Sequence, residues 1–222
     1  VLFDLRSRGR RRTVRVVYLG LAVLMGGGLV LFGVGAGNGL GGLLNAFNGS
    51  GSSSGQSQAV SSAETSAIKA TQTSPNDASA WASLIQARWS NATSNSADFN
   101  SGTGVFTATG KTELTNLVND WQRYQALVKQ PDPTVAILAA RAYEYLGQYS
   151  DAATAWQTIT AAEPSEATAF ECLAANAYAG KDTRIGDLAS SKALSLVPSA
   201  QRTLLKTKLN DAKTDPSIAE SC

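Results

Sequence analysis

The 222-residue chain reads as an all-α protein: an N-terminal transmembrane helix, a flexible linker, then a short array of about three helical hairpins with capping helices. Three observations predict it. Residues 16–37, VVYLGLAVLMGGGLVLFGVGAG, carry no charge, and about 20 apolar residues suffice to cross a hydrocarbon core. From residue 59 onward alanine is abundant and β-branched runs are scarce, which favours close-packed helices over strands. Pro164 and Pro198 stand 34 residues apart and close two similar phrases, GQYSDAATAWQTITAAEP and GKDTRIGDLASSKALSLVP. Self-similarity at such a period marks a repeat architecture.

The elements follow in order. Residues 1–15 hold six Arg against Asp4. Lys and Arg gather on the cytoplasmic side of a span, so this basic segment is expected in the cytoplasm and the rest of the chain on the far side of the cell membrane. The span is longer than the roughly 7–15 apolar residues of a cleaved signal. An uncleaved single-pass anchor is therefore favoured over cleavage after Val34-Gly35-Ala36, and the Arg pairs do not fit the twin-arginine pattern well. Gly26-Gly27-Gly28 and the Gly33/Gly37 spacing would let a second anchor approach for self-association, although Gly is common in membrane helices. Residues 38–60 form a Gly/Ser-rich linker, whose core NGSGSSSGQSQ tethers without fixing orientation.

The helical domain is expected over 61–213. SAETSAIKATQTSP, with Ala63, Ala67, Ala70 and Pro75, has the pattern of a lone second helix. Trp81, Leu84 and Ile85 then open a hairpin whose second helix is TELTNLVNDWQRYQALVKQ, 112–130. There Leu114, Leu117, Val118, Trp121, Gln125 and Val128 give one helical face with a polar break. Pro75 to Pro131 is 56 residues, 22 more than one period, so an insertion loop over about 90–111 interrupts this hairpin. The next two hairpins begin with TVAILAARAYEYL, 134–146, and TAFECLAANAYA, 168–179, and turn tightly at Gly147 and Gly180. AQRTLLKTKLNDAK reads as an amphipathic cap over Leu204, Leu205 and Leu209, and 214–222 as a tail.

Helix, tight turn, helix and a closing Pro resemble the tetratricopeptide repeat. The hairpin from Pro133 matches its frame at Ala140, Tyr143, Ala152, Trp156 and Pro164, with Ile159 in place of the later Ala. The hairpin from Ala167 matches at Phe170, Leu173, Ala174, Ala193 and Pro198 and departs at Gly186 and Ser190, where looser packing is expected. The resemblance covers about residues 61–213 and implies a right-handed α-solenoid whose first helices line a groove for a protein or peptide partner. In that frame the groove residues are Gln86, Trp89, Ile137, Arg141, Tyr145, Glu171 and Tyr178. Phe99, Val105 and Phe106 in the insertion are exposed candidates for a second contact, since a long loop in a compact repeat is usually functional or disordered. The layout is similar to bacterial single-pass proteins with an extracytoplasmic tetratricopeptide domain. It implies a non-catalytic interaction scaffold at the cell envelope, or alternatively a chaperone-like accessory to secretion or envelope assembly. Some co-chaperones of the family clamp a terminal carboxylate with several Lys, Arg and Asn residues; Arg141 stands nearly alone, so that activity is not expected.

Other classes are disfavoured. The chain has no His, and its two Cys form no CxxC, so no metal or cofactor site is expected. GTGVFTATGKTEL, 102–114, ends like a nucleotide-binding P-loop. Five residues separate Gly104 from Gly110 where four are required, and a polar loop precedes them where a strand is required. Thr112 is instead expected to cap the next helix, with Glu113 favouring its positive end. Beyond residue 15, 13 Lys and Arg against 16 Asp and Glu leave a net charge of −3, which disfavours nucleic acid. No nucleophile-and-base constellation marks an enzyme. Cys172 and Cys222 could pair in an oxidising compartment, subject to geometry. Asn48-Gly49-Ser50 and Asn91-Ala92-Thr93 match the glycosylation sequon.

Overall fold

The computed structural model describes residues 53–222, with side chains from residue 61. The expected membrane helix at 16–37, the basic segment before it and most of the linker lie outside the described residues. Among the described residues no helix is long and apolar enough to cross a membrane. They are mostly helical with little strand, as an all-α chain requires.

The helices are α1 (Ser53–Thr73), α2 (Ala78–Ser94), α3 (Ala108–Leu127), α4 (Pro133–Tyr145), α5 (Tyr149–Ala162), α6 (Ala167–Ala179), α7 (Thr183–Leu196) and α8 (Ser199–Asp211). Each packs on the next in sequence, and α2 also touches α4 as α6 touches α8. Helix α1 begins at Ser53, so residues 53–60 of the expected flexible linker are helical. Between α2 and α3 a two-residue ladder forms, β1 (Phe99–Asn100) against β2 (Val105–Phe106), antiparallel with Phe99 opposite Phe106. A six-residue 3₁₀ turn, Pro216–Ser221, ends the described chain.

The 34-residue period is exact in the backbone. Helices α4 and α6 start and end 34 residues apart, and so do α5 and α7. The N-caps of the two first helices repeat with them. Asp132 accepts from Thr134 N–H at 2.8 Å and Glu166 from Thr168 N–H at 3.2 Å, each satisfying an amide that the first helical turn leaves unpaired. At the turns the Gln148 N–H donates to the Tyr143 carbonyl and the Asp182 N–H to the Ala177 carbonyl, both at 2.8 Å. That bond requires a left-handed residue just before it. Gly147 fills the position in the first turn with φ 71°. In the second turn the residue 34 further on is Lys181, with φ 68°, and not the expected Gly180. The first hairpin keeps the same cap at Asp77, which accepts from Ser79 N–H at 2.9 Å. Asp77 and Asp132 are 55 apart, so the insertion is 21 residues and Pro131 stands one place out of frame.

The looser packing expected at Gly186 and Ser190 does not occur. The Tyr178 ring lies where a Gly186 Cβ would be. The residues 34 earlier are Glu144, Ala152 and Trp156. The bulky aromatic ring sits on the second helix in one hairpin and on the first helix in the other. Volume is conserved while its source moves between helices, which a core tolerates.

Candidate functional site

Four aromatic rings join α2, the ladder and α4. The Phe106 ring is 4.7 Å from Phe99, 4.8 Å from Tyr145 in an edge-on arrangement and 6.3 Å from Trp89, and Trp89 and Tyr145 are 6.5 Å apart. These are favourable ring separations. The two expected contact regions are therefore one place: Trp89 and Tyr145 of the expected groove pack with Phe99 and Phe106 of the insertion. Phe106 was expected to be exposed and is buried at the centre of the cluster; Phe99 is half-buried and Val105 alone of the three is exposed.

The insertion is tied down by its own polar groups. The Thr107 hydroxyl donates to the Ala97 carbonyl at 2.7 Å and accepts from Gly110 N–H at 3.2 Å. Thr107 is thus the cap of α3; Thr112, the expected one, lies inside the helix with its hydroxyl on the Ala108 carbonyl. A Cβ on Gly110 would overlap the Asp98 carbonyl. The glycine of the GKT sequence serves that close approach of helix to loop.

The remaining groove residues have diverse positions. Gln86 and Ile137 are half-buried, and Arg141 is exposed. Glu171 forms an ion pair with Lys208 of α8 at 2.7 Å. Tyr178 is buried against α7 and donates to Asp187 at 2.8 Å, so it does not line an open surface. Leu204, expected under the cap, is exposed, while Leu205 and Leu209 make the contact.

The segment expected as a tail is folded onto α6 and α4. Cys222 is disulfide-bonded to Cys172 in mid-α6, with Cα atoms 5.6 Å apart. Arg141 Nη2 donates to the Cys222 carbonyl at 3.1 Å, and the Tyr149 hydroxyl donates to Glu220 at 2.9 Å. Burial and the adjacent Glu220 carboxylate push the Tyr149 hydroxyl up to about 12. Ala219 is fully buried.

Beneath lies Glu144, 1% exposed. Its Oε1 accepts from Trp156 Nε1 and from Asn176 Nδ2, both at 2.7 Å. Burial drives its pKa up to about 7, against the pull of those two donors and of Arg141. A second polar centre joins α1, α2 and α3. Arg88 reaches Glu64 at 3.0 Å, Glu113 at 3.1 Å and Asp120 at 2.7 Å, and Asn91 donates to Glu64 at 2.6 Å. The Asn91 sequon is thereby part of a packed helix, its amide engaged. Desolvation raises the Asp120 pKa more than Arg88 lowers it.

Local periodicity gave no sign of either centre, because the partners of Arg88 lie 24 to 32 residues away. A buried Glu on the small-residue face of α4 was the one available signal for Glu144. Among the described residues no group of His, Cys, Asp and Glu is placed to hold a metal ion. Comparison with protein-family models, with curated proteins and with solved structures found no match.

Proposed function

We propose that this chain is a non-catalytic interaction module of the tetratricopeptide kind, tethered to the cell membrane by residues 16–37 and presenting its first-helix face to a protein partner outside the cytoplasm. The observation that carries the interaction role is the cluster of Trp89, Phe99, Phe106 and Tyr145. It spans two consecutive first helices, and its outer members are half-exposed. Aromatic side chains partly buried by their own fold present a rigid, amphipathic surface, and such groups dominate binding hot spots. The exact 34-residue recurrence of the helices and of the first-helix caps supports the repeat assignment, as consecutive units stack to align their first helices. The charge contrast between residues 1–15 and the uncharged 16–37 supports the tether.

The test is a cross-linked pull-down from solubilised membranes, comparing the full chain with Trp89→Ala/Tyr145→Ala. A defined partner set, lost from the variant while its circular dichroism is unchanged, supports the role. The same partners on both proteins would remove this face from consideration.

A further inference from the structure

The segment Asp215–Cys222 is docked as a peptide ligand would be. Asp215 caps the 3₁₀ turn, accepting from Ser217 N–H at 3.0 Å. Ala219 is fully buried and Ile218 packs on the core. Glu220 takes the Tyr149 hydroxyl, and the Cys222 carbonyl takes Arg141. The segment rests on α6 and α4. Ala175, Asn176 and Ala179 share the helical stripe of Cys172, and all are buried. A 3₁₀ turn this short has little stability of its own, so what keeps it in place is its seat and the bond to Cys172. Helix α6 is packed by α5, α7 and α8 as well.

We propose that the face of α4 and α6 is a peptide seat, that Asp215–Cys222 is its resident occupant, and that the Cys172–Cys222 disulfide latches that occupant in place. The partner admitted on unlatching is a segment of another protein with the same chemistry: small apolar residues, then an acidic one to accept from Tyr149 and a backbone carbonyl beyond it to accept from Arg141. This rests on the interaction role proposed above and names how one part of that surface is regulated. The opening step is thiol–disulfide exchange with a protein dithiol. Cys222 is half-buried whereas Cys172 is 2% exposed, so Cys222 is the side open to attack. A thiolate of the dithiol attacks Cys222 Sγ, and the electron pair of the broken S–S bond leaves on Cys172 Sγ, which takes a proton. The second thiol of the dithiol loses its proton, attacks the mixed disulfide and releases Cys222 as a thiol. Two electrons and two protons have passed to the chain, and the dithiol has become a disulfide.

The experiment uses the full chain in detergent, oxidised and dithiothreitol-reduced, with two readouts. Hydrogen exchange read by mass spectrometry is expected to show residues 216–222 losing protection on reduction, while α4 and α6 stay protected. A fluorescent peptide of sequence DPSIAES is expected to bind the reduced form at least about tenfold more tightly, because the resident segment is held at both ends, by the chain and the disulfide, in the oxidised form and by the chain alone in the reduced form. Tyr149→Phe should weaken that binding. Equal binding to both forms overturns the latch but leaves the interaction role standing. No binding to a reduced form whose segment is exposed overturns the seat, while the aromatic face is still judged by its own pull-down. Continued protection of 216–222, or loss of α4 and α6 along with it, overturns the latch by making the disulfide a staple of the fold. A reduced protein that sediments as a dimer overturns the choice of partner, making the occupant a second copy.

Discussion

Glu144→Gln isolates the energetic cost of a buried carboxyl. In the folded chain burial raises the Glu144 pKa from its ordinary 4.5 to about 7. The folded state thus holds a proton that the unfolded state has released over this interval. Stability therefore falls as pH rises from about 4.5 to about 7, and is flat above. A difference of about 2.5 units at 1.36 kcal/mol each makes the loss about 3 kcal/mol once both states are ionised. Gln cannot ionise, yet keeps an oxygen for Trp156 Nε1 and Asn176 Nδ2. The variant should match the parent within about 1 kcal/mol near pH 5, where Glu144 is neutral, and exceed it by about 2–3 kcal/mol near pH 8. Urea unfolding of the oxidised chain, followed by far-ultraviolet circular dichroism at several pH values, measures the difference. The absence of His removes the usual titration in this window, and the raised Asp120 cancels because both proteins contain it. A difference between the two that is independent of pH, or that turns against the variant as pH rises, would show that ionisation of Glu144 does not govern stability in this range.

Three further outcomes are expected of the same assay. Lys181→Gly should stabilise the chain by about 1 kcal/mol, since Lys181 holds the left-handed conformation that Gly147 adopts in the equivalent turn without a Cβ penalty; a loss of stability would show that the Lys side chain does something the turn does not explain. Gly186→Ala should cost about 1–3 kcal/mol by overlap with the Tyr178 ring, and the cost should shrink in a Tyr178→Leu background, because residues in contact are non-additive. Arg88→Met should cost about 3 kcal/mol near pH 7, leaving Glu64, Glu113 and Asp120 close together without their cation. That cost should diminish toward pH 4 as the carboxylates take up protons, and a cost that grows instead would sink the ion-pair account.

What the sequence disclosed follows from where each signal resides. Helix starts depend on a cap two residues before the first free amide, so Asp77, Asp132 and Glu166 carried a local signal that the repeat frame passed over. The closing Pro was a weaker guide, because Pro bars a helix from continuing without fixing where the next one starts. Pro131 therefore displaced the insertion length by one. Gly180 attracted the turn because Gly is the usual left-handed residue, but the period places that conformation at 181 whatever residue is there. The insertion was visible as a polar interruption. That it would be ordered was not, because Thr107, Ala97 and Asp98 act across the loop and Phe106 acts across two helices.

The two hairpins also serve as each other's reference, and the comparison shows why the seat for Asp215–Cys222 is on the second. At positions 34 apart, Arg141 and Tyr145 of α4 become Ala175 and Ala179 of α6. The α4 pair keeps long side chains at least partly in solvent, while the α6 pair is buried. A helix that loses two long side chains from one stripe leaves a channel that must be filled, since unfilled volume forfeits dispersion contacts. In this chain the segment that packs on α6 carries the buried Ala219 and the half-buried Ile218, and the Cys172–Cys222 bond on the same stripe holds it there. The long side chain retained at Arg141 is the one that reaches across to the Cys222 carbonyl. Restoring bulk at Ala179 with Tyr should therefore loosen the Asp215–Cys222 segment, and the symmetric change, Tyr145→Ala, should open volume beside Trp89 and Phe106.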